Sequence, residues 1–417
     1  MNLFLRPRTA LVLSLGVFIL ASCSKDDSTG SLKTTPTEEG TTPEIDKQAP
    51  KLTGTVRYEE AKMTAFNFEY PSTDPYGNPV TLSGAITIGD EVKPQKRARG
   101  LVLYNHFTCF RADQCPSRGD LMAQKFFVGS GLITISPDNY GFGATEDQLQ
   151  AYCMSRYNGK ASVDALLAAK KLLPQLGYMW NDKVLFNLGY SQGGQTTMGV
   201  VRHITENYPD LPITYSIAGG GSYDIPETYR QFIRSEISGM PSTVIHVLLT
   251  YNQYFKLGIP LEQIYQKHIL DNLDEWILSM KYSRENIDER KIGTLELPEI
   301  FTPAILDLTS EPSQRFLKAL DTDNLCHSWT PRKNEKILLV HHTEDITVPV
   351  ENADNLYYFL REENGMRNVE LAKADWGSIN GLSTHDSGAI IFIILSLEKF
   401  CASLGILPWF DITNIKI

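Results

Sequence analysis

Positive charge is scarce in this chain: 39 lysines and arginines stand against 49 aspartates and glutamates, for a formal charge of −10. With no basic patch interleaved with aromatics, nucleic acid is set aside as a partner. Cysteines number six, and neither they nor the eight histidines fall at a zinc-ligand spacing with the rest of a site, so no metal and no cofactor is expected. No internal repeat is visible, which sets aside solenoids and propellers. Near the N-terminus the apolar run Leu11–Leu20 is ten residues long. A membrane-spanning helix needs about 20.

That run suits a secretory signal instead. Arg6 and Arg8 precede it as a basic n-region, and Leu20-Ala21-Ser22-Cys23 closes it. The closing tetrapeptide resembles the lipobox of bacterial lipoproteins, which implies cleavage after residue 22, lipidation of Cys23 and a membrane-anchored protein of the cell envelope. Ser24-Lys25-Asp26-Asp27 resembles the acidic export signal of surface-exposed lipoproteins in some Gram-negative bacteria, and so an outer-membrane location is expected. Residues 23–50 are rich in Thr, Ser, Pro and charge and read as a disordered tether. Residues 51–417 then form one folded domain. Its cysteines are Cys109, Cys115, Cys153, Cys326 and Cys401. Cys109 and Cys115 share a short loop and could pair, since the compartment permits disulfides.

The most informative stretch is Lys183-Val-Leu-Phe-Asn-Leu-Gly189-Tyr-Ser191-Gln-Gly193-Gly. A buried strand runs into Gly-x-Ser-x-Gly and out into a small-residue helix over 192–206. Glycines on either side of Ser191 remove the side chains that would clash in so tight a bend. The helix points its unsatisfied N–H groups at the turn, where an oxyanion would form. Ser191 is therefore a candidate nucleophile. Its bland alternative is a helix-capping serine.

Around this elbow the pattern is that of an α/β domain. Residues 64–90 alternate as a β-hairpin with a polar turn at Asp74-Pro-Tyr-Gly77-Asn-Pro. Strands are expected at 99–107, 132–136, 213–218, 337–342 and 369–372, with a helix at 159–173. Apolar strands alternating with helices mean a mostly parallel sheet covered on both faces, with the site at the carboxyl ends of the strands. From about 224 to 333 the strands give way to helices, expected at 227–236, 241–255, 261–282 and 311–320. Such an insertion before a sheet strand would cap the site. Tyr251, Tyr254, Phe255 and Trp276 within it could line a substrate pocket or serve as helix-packing core.

A serine hydroxyl needs a base, and the base needs an orienting carboxylate. Leu338-Leu-Val340-His-His-Thr-Glu-Asp345 is an apolar strand ending in an acidic loop, with Asp345 and Glu344 both placed to serve. His385 is the favoured base, in Gly381-Leu-Ser-Thr-His385-Asp-Ser-Gly388, a loop opening an apolar helix. His341 and His342 end a strand ahead of the acid and brace its loop. His203, His246 and His268 fall within helices, and His327 precedes Ser328-Trp329 in a structural setting. The oxyanion donors are expected to be the backbone N–H groups of Gln192 and Thr108, with Phe107 next in line and His106 shaping that loop.

These segments together resemble the α/β-hydrolase superfamily and, within it, the secretory lipase group with its bacterial relatives. Asp74 and Gly77, His106, Asp138-Asn-Tyr140-Gly-Phe-Gly143, Gly189-Tyr-Ser191-Gln-Gly193-Gly194, Gly220-Gly-Ser-Tyr223-Asp224 and Trp329-Thr-Pro331 carry the likeness, with His342-x-x-Asp345-x-x-Val348-Pro349. It spans most of residues 64–400. The resemblance implies Ser191 as nucleophile, Asp345 as acid and His385 as base, in the chain order of that fold. It departs at Phe107, where relatives usually carry glycine. The implied activity is hydrolysis of a carboxylic ester, on a small-molecule, lipid or glycan substrate. A peptidase of the same fold and an inactive surface binding lipoprotein are the alternatives. Oligomeric state is not encoded in any of these features.

Overall fold

The alternating pattern ahead of residue 90 folds into an antiparallel meander. Strands β1 (Lys51–Tyr58), β2 (Met63–Thr73) and β3 (Pro79–Gly89) pair in succession, the last two in unbroken register. The β2–β3 turn is organised by Asp74, whose carboxylate accepts hydrogen bonds from the backbone N–H groups of Tyr76 and Asn78. β1 was not among the expected strands. Most of its side chains are exposed, so this edge strand carries little hydrophobic signature. The computed structural model describes residues 49–407. The expected signal segment, Cys23 and nearly all of the expected tether lie outside the described residues.

Six further strands join the same sheet: β4 (Leu101–Asn105), β5 (Ile133–Pro137), β6 (Leu185–Tyr190), β7 (Tyr215–Gly219), β8 (Ile337–His342) and β9 (Val369–Ala374). Among the described residues they complete a nine-stranded sheet in the order β1-β2-β3-β5-β4-β6-β7-β8-β9. β3 meets β5 antiparallel, and every pairing from β5 to β9 is parallel. β4, β6, β7 and β8 are buried throughout, which is why they read as mostly apolar runs. From β4 the chain moves outward to β5 and then returns to add β6 on the other side. That reversal opens a crevice at the carboxyl ends of β4 and β6.

The helices are α1 (Met122–Phe127), α2 (Ser155–Leu172), α3 (Gln192–Asn207), α4 (Ile225–Ser235), α5 (Pro241–Tyr254), α6 (Glu311–Leu320), α7 (Glu351–Tyr358) and α8 (Thr384–Leu404); α4, α5 and α6 belong to the insertion and pack mainly on one another, while the others flank the sheet. α8 is long and apolar enough to cross a membrane by length and composition, but it is largely buried within the fold. Phe400 packs on Phe186 at a centroid distance of 4.4 Å, and Phe392 on Tyr190 at 5.5 Å.

One expected helix does not form. Residues 261–282 break into a turn at Leu261–Gln263, a short helix at Lys267–Leu270 and a π-type turn at Asp274–Leu278. The break has a tertiary cause. Tyr265 bridges to Phe301, and Gln266 takes an extended ψ of 150° while its backbone N–H donates to the Ile300 carbonyl. The Gln266 side-chain amide adds bonds to the Pro298 and Phe301 carbonyls. Helical periodicity there lost to strand-like pairing across the insertion.

Candidate active site

Ser191 occupies a backbone conformation that an ordinary side chain avoids, with φ 58° and ψ −123°. Strain of this kind costs about 1–3 kcal/mol and persists only where the surroundings over-determine it. Here they do. The Ser191 N–H donates to the Gly219 carbonyl at 2.8 Å, and its carbonyl accepts the first helical bond from Gln195. Beneath the turn, Asn105 donates to both Asn187 Oδ1 (3.1 Å) and Thr197 Oγ1 (3.0 Å), tying β4, β6 and α3 together. Asn105 and Asn187, buried polar residues in apolar strands, were not singled out from the sequence. Their polarity amid aliphatics was the available signal.

The flanking glycines are required by contact as much as by conformation. A Cβ on Gly193 would lie 2.1 Å from the Asn105 carbonyl oxygen and 2.8 Å from that of His106. A Cβ on Gly189 would lie 2.4 Å from the Gly193 carbonyl oxygen. Gly193→Ala should therefore push the 105–108 segment away from the elbow. We expect a destabilisation of about 2 kcal/mol in a denaturant titration. Esterase activity should fall by about 100-fold if the expected oxyanion donor, the Thr108 N–H, is displaced with that segment.

The structure brings Ser191, His385 and Asp345 into one hydrogen-bonded line. His385 Nε2 lies 2.9 Å from Ser191 Oγ, and His385 Nδ1 lies 2.6 Å from Asp345 Oδ2. His385 sits in the first turn of α8, whose cap is Ser383, accepting from the Asp386 N–H. Its ring packs on Tyr190 at 5.1 Å, and the Tyr190 hydroxyl donates to the His385 carbonyl at 2.7 Å. No feature of the sequence around Tyr190 marks this bond.

Asp345 is held by its loop. Oδ1 accepts from the backbone N–H groups of Thr347 (2.8 Å) and Val348 (2.9 Å), leaving Oδ2 for the imidazole. His341 lies alongside, with Nε2 2.8 Å from the Val348 carbonyl and 3.6 Å from Asp345 Oδ2. Glu344, the rival acid, is exposed, and its backbone N–H donates to His342 Nδ1. Burial disfavours a charge on His385, but the Asp345 carboxylate outweighs it and holds the imidazole pKa above its ordinary value. Burial likewise opposes ionisation of Asp345, yet the paired imidazole keeps its carboxyl below the usual carboxylate range. The site therefore favours an ion pair once the imidazole gains a proton.

Gln192 heads α3, and Thr108 lies in the loop after β4, its hydroxyl 2.8 Å from that of Tyr152. His106 spans that loop, with Nδ1 2.7 Å from the Phe107 carbonyl and Nε2 2.9 Å from the Asp138 carbonyl. Cys109 and Cys115 are buried thiols, not a disulfide. Among the described residues no cluster of His, Cys, Asp and Glu suited to a metal occurs.

Two cavities open at Ser191, of about 100 Å³ and about 60 Å³. The aromatics singled out in the insertion line neither. Tyr251 is fully buried with its hydroxyl donating to the Cys153 carbonyl and Asp323, and its ring stacks on Phe255. Tyr254 donates to the Leu149 carbonyl. The walls come instead from Tyr104, Phe126, Phe232, Met240 and Phe392.

The family model for secretory lipases matches residues 120–389, a span that holds all three residues of the hydrogen-bonded line. No curated protein matches the sequence. Among solved structures, the chain is similar to the rice cell wall degrading esterase LipA from Xanthomonas oryzae, at 21% identity over 85% of this chain and 98% of that one, with a TM-score of 0.70. A Legionella pneumophila protein is similar at 21% identity, 85% and 97% coverage and a TM-score of 0.71. Candida antarctica lipase A in its closed state is similar at 15% identity, 88% and 86% coverage and a TM-score of 0.60. At such identities the likeness is one of fold, that of the α/β-hydrolases.

Proposed function

This chain belongs to the secretory lipase family and is an ester hydrolase, and on that premise we propose that it works through a Ser191–His385–Asp345 triad and an acyl-enzyme. Ser191 Oγ attacks the ester carbonyl carbon while its proton passes to His385 Nε2. The carbonyl π pair moves onto oxygen, and this oxyanion accepts hydrogen bonds from the backbone N–H groups of Gln192 and Thr108. Collapse of the intermediate breaks the bond to the alcohol oxygen, which leaves with the proton from His385. Water then repeats the sequence against the acyl-enzyme, with His385 again as base. Asp345 stays ionised and orients the imidazole throughout.

The observation that carries this reading is the continuous chain of contacts, 2.9 Å then 2.6 Å, ending at a serine held in a strained elbow beside two cavities. A fluorophosphonate probe tests it. The wild-type protein should label at Ser191, and folded wild-type protein that refuses the probe would overturn the mechanism. Tethering to a membrane through Cys23 belongs to the same proposal. Cells fed an alkynyl fatty acid should incorporate it into the wild type and not into Cys23→Ser, and equal incorporation would remove the anchor from the account.

A further inference from the structure

The two cavities at Ser191 have different walls. The larger lies between α1 and α8, bounded by Tyr104, Ala123, Phe126, Ala389, Phe392 and Ile393, and His385 and Thr108 also line it. The smaller lies under the insertion, against α4, α5 and the loop after β8. Gln192 lines the smaller cavity and His385 lines the larger, while Met240 stands in the wall of both.

We infer that the cavity between α1 and α8 is the subsite for the leaving alcohol, that it selects apolar alcohols, and that Ala389 and Ala123 set their size. The inference rests on the serine-hydrolase mechanism above and deepens it. His385 must hand its proton to the departing oxygen, so that oxygen lies on the His385 side of Ser191 Oγ. The group it carries continues into the space His385 faces. With the oxyanion held between Gln192 and Thr108, the acyl substituent turns the remaining way, toward the smaller cavity.

The wall chemistry then decides which alcohols gain. Apart from the catalytic pair, it is mostly aromatic and aliphatic, broken by Thr108, Gln114 and a charged cluster in which Arg284 pairs with Glu285 at 2.6 Å and stands 3.7 Å from Asp386. An apolar alcohol buries its methylenes there at about fourfold in rate for each one. Alanine on two opposing helices leaves the room. Ala389 lies on α8, one turn after His385, and Ala123 lies on α1. Larger side chains at these positions fill part of the alcohol site.

Two ester series separate the assignments. One holds acetyl constant and varies the alcohol through methyl, butyl, benzyl and 2-naphthylmethyl; the other holds methanol constant and lengthens the acid from acetate to decanoate. In the wild type the benzyl-to-methyl ratio of kcat/KM should be at least about tenfold. Ala389→Phe should lower that ratio about tenfold or more while moving the acyl-length ratio less than about threefold. Ala123→Leu, from the opposite wall, should act in the same direction and serves if Ala389→Phe does not fold. A shift in the acyl-length ratio instead, or no shift in either, overturns the assignment. Wild-type protein that neither labels with fluorophosphonate nor turns over either series takes down the underlying mechanism as well. Labelling and turnover with an alcohol ratio indifferent to both variants sinks the subsite alone.

Discussion

Ser191→Ala should lower kcat for any ester by on the order of 10⁶, to a residue supplied by the oxyanion donors and substrate binding. Removing the nucleophile leaves His385 and Asp345 nothing to activate. Adding His385→Ala to Ser191→Ala should therefore cost almost nothing more, whereas independent contributions would multiply. Fluorophosphonate labelling should vanish in the same variant. A second comparison isolates the backbone. At φ 58° and ψ −123° alanine retains the Cβ that strains the turn and glycine does not. Ser191→Gly should consequently be more stable than Ser191→Ala by about 1 kcal/mol in a denaturant titration. Retained activity in Ser191→Ala beyond about one part in 10³ would end the proposal.

Asp345→Asn should reduce kcat/KM by about 10⁴ without unfolding the protein, and the geometry supplies the reason. Asp345 Oδ1 accepts from two backbone N–H groups, so an asparagine there keeps its amide oxygen in that position. The NH₂ then faces His385 Nδ1 and forces that nitrogen to accept. The imidazole proton moves to Nε2, where it meets Ser191 Oγ as a donor and cannot serve as a base. The pH profile should change as well. In the wild type the base form is needed, and the Asp345 carboxylate holds the His385 pKa above its ordinary value. The acid limb of kcat/KM should thus have its midpoint above about 6.5, falling tenfold per unit below it. In the variant the burial penalty keeps only the weaker attraction of Asp386 against it, so the limb should move to lower pH than in the wild type. An acid limb identical in the two proteins would contradict the proposed pairing.

Much of this site is local chemistry and was legible as such. Gly189 and Gly193 on either side of Ser191 declare a tight strand-to-helix turn because a Cβ at either glycine would clash there. Asp345 and His385 stand at the ends of apolar segments, where a side chain reaches the carboxyl edge of a sheet. The preference for Asp345 over Glu344 came from family resemblance, and the structure supplies its physical counterpart, a loop whose two N–H groups grip Asp345 while Glu344 faces solvent. Other features left no local trace. β1 is an exposed edge strand, and residues 261–282 keep a helical rhythm that pairing with the 296–302 segment overrides. Tyr251 and Tyr254 look equally fit for a pocket or a core until their hydroxyls find buried carbonyls.

By itself, the sequence determined the strands other than β1, the elbow, the chain order of serine, acid and histidine, and the family. Each depends on side-chain period or on backbone conformations that few residues can adopt, and both act over a handful of neighbours. The tertiary structure alone decided that β5 lies outside β4, that two residues 194 positions apart meet at 2.9 Å, and which side chains wall the cavities beside them. Those outcomes depend on how whole faces pack against one another. A cavity is the space packing leaves unfilled, and no short stretch of chain contains it.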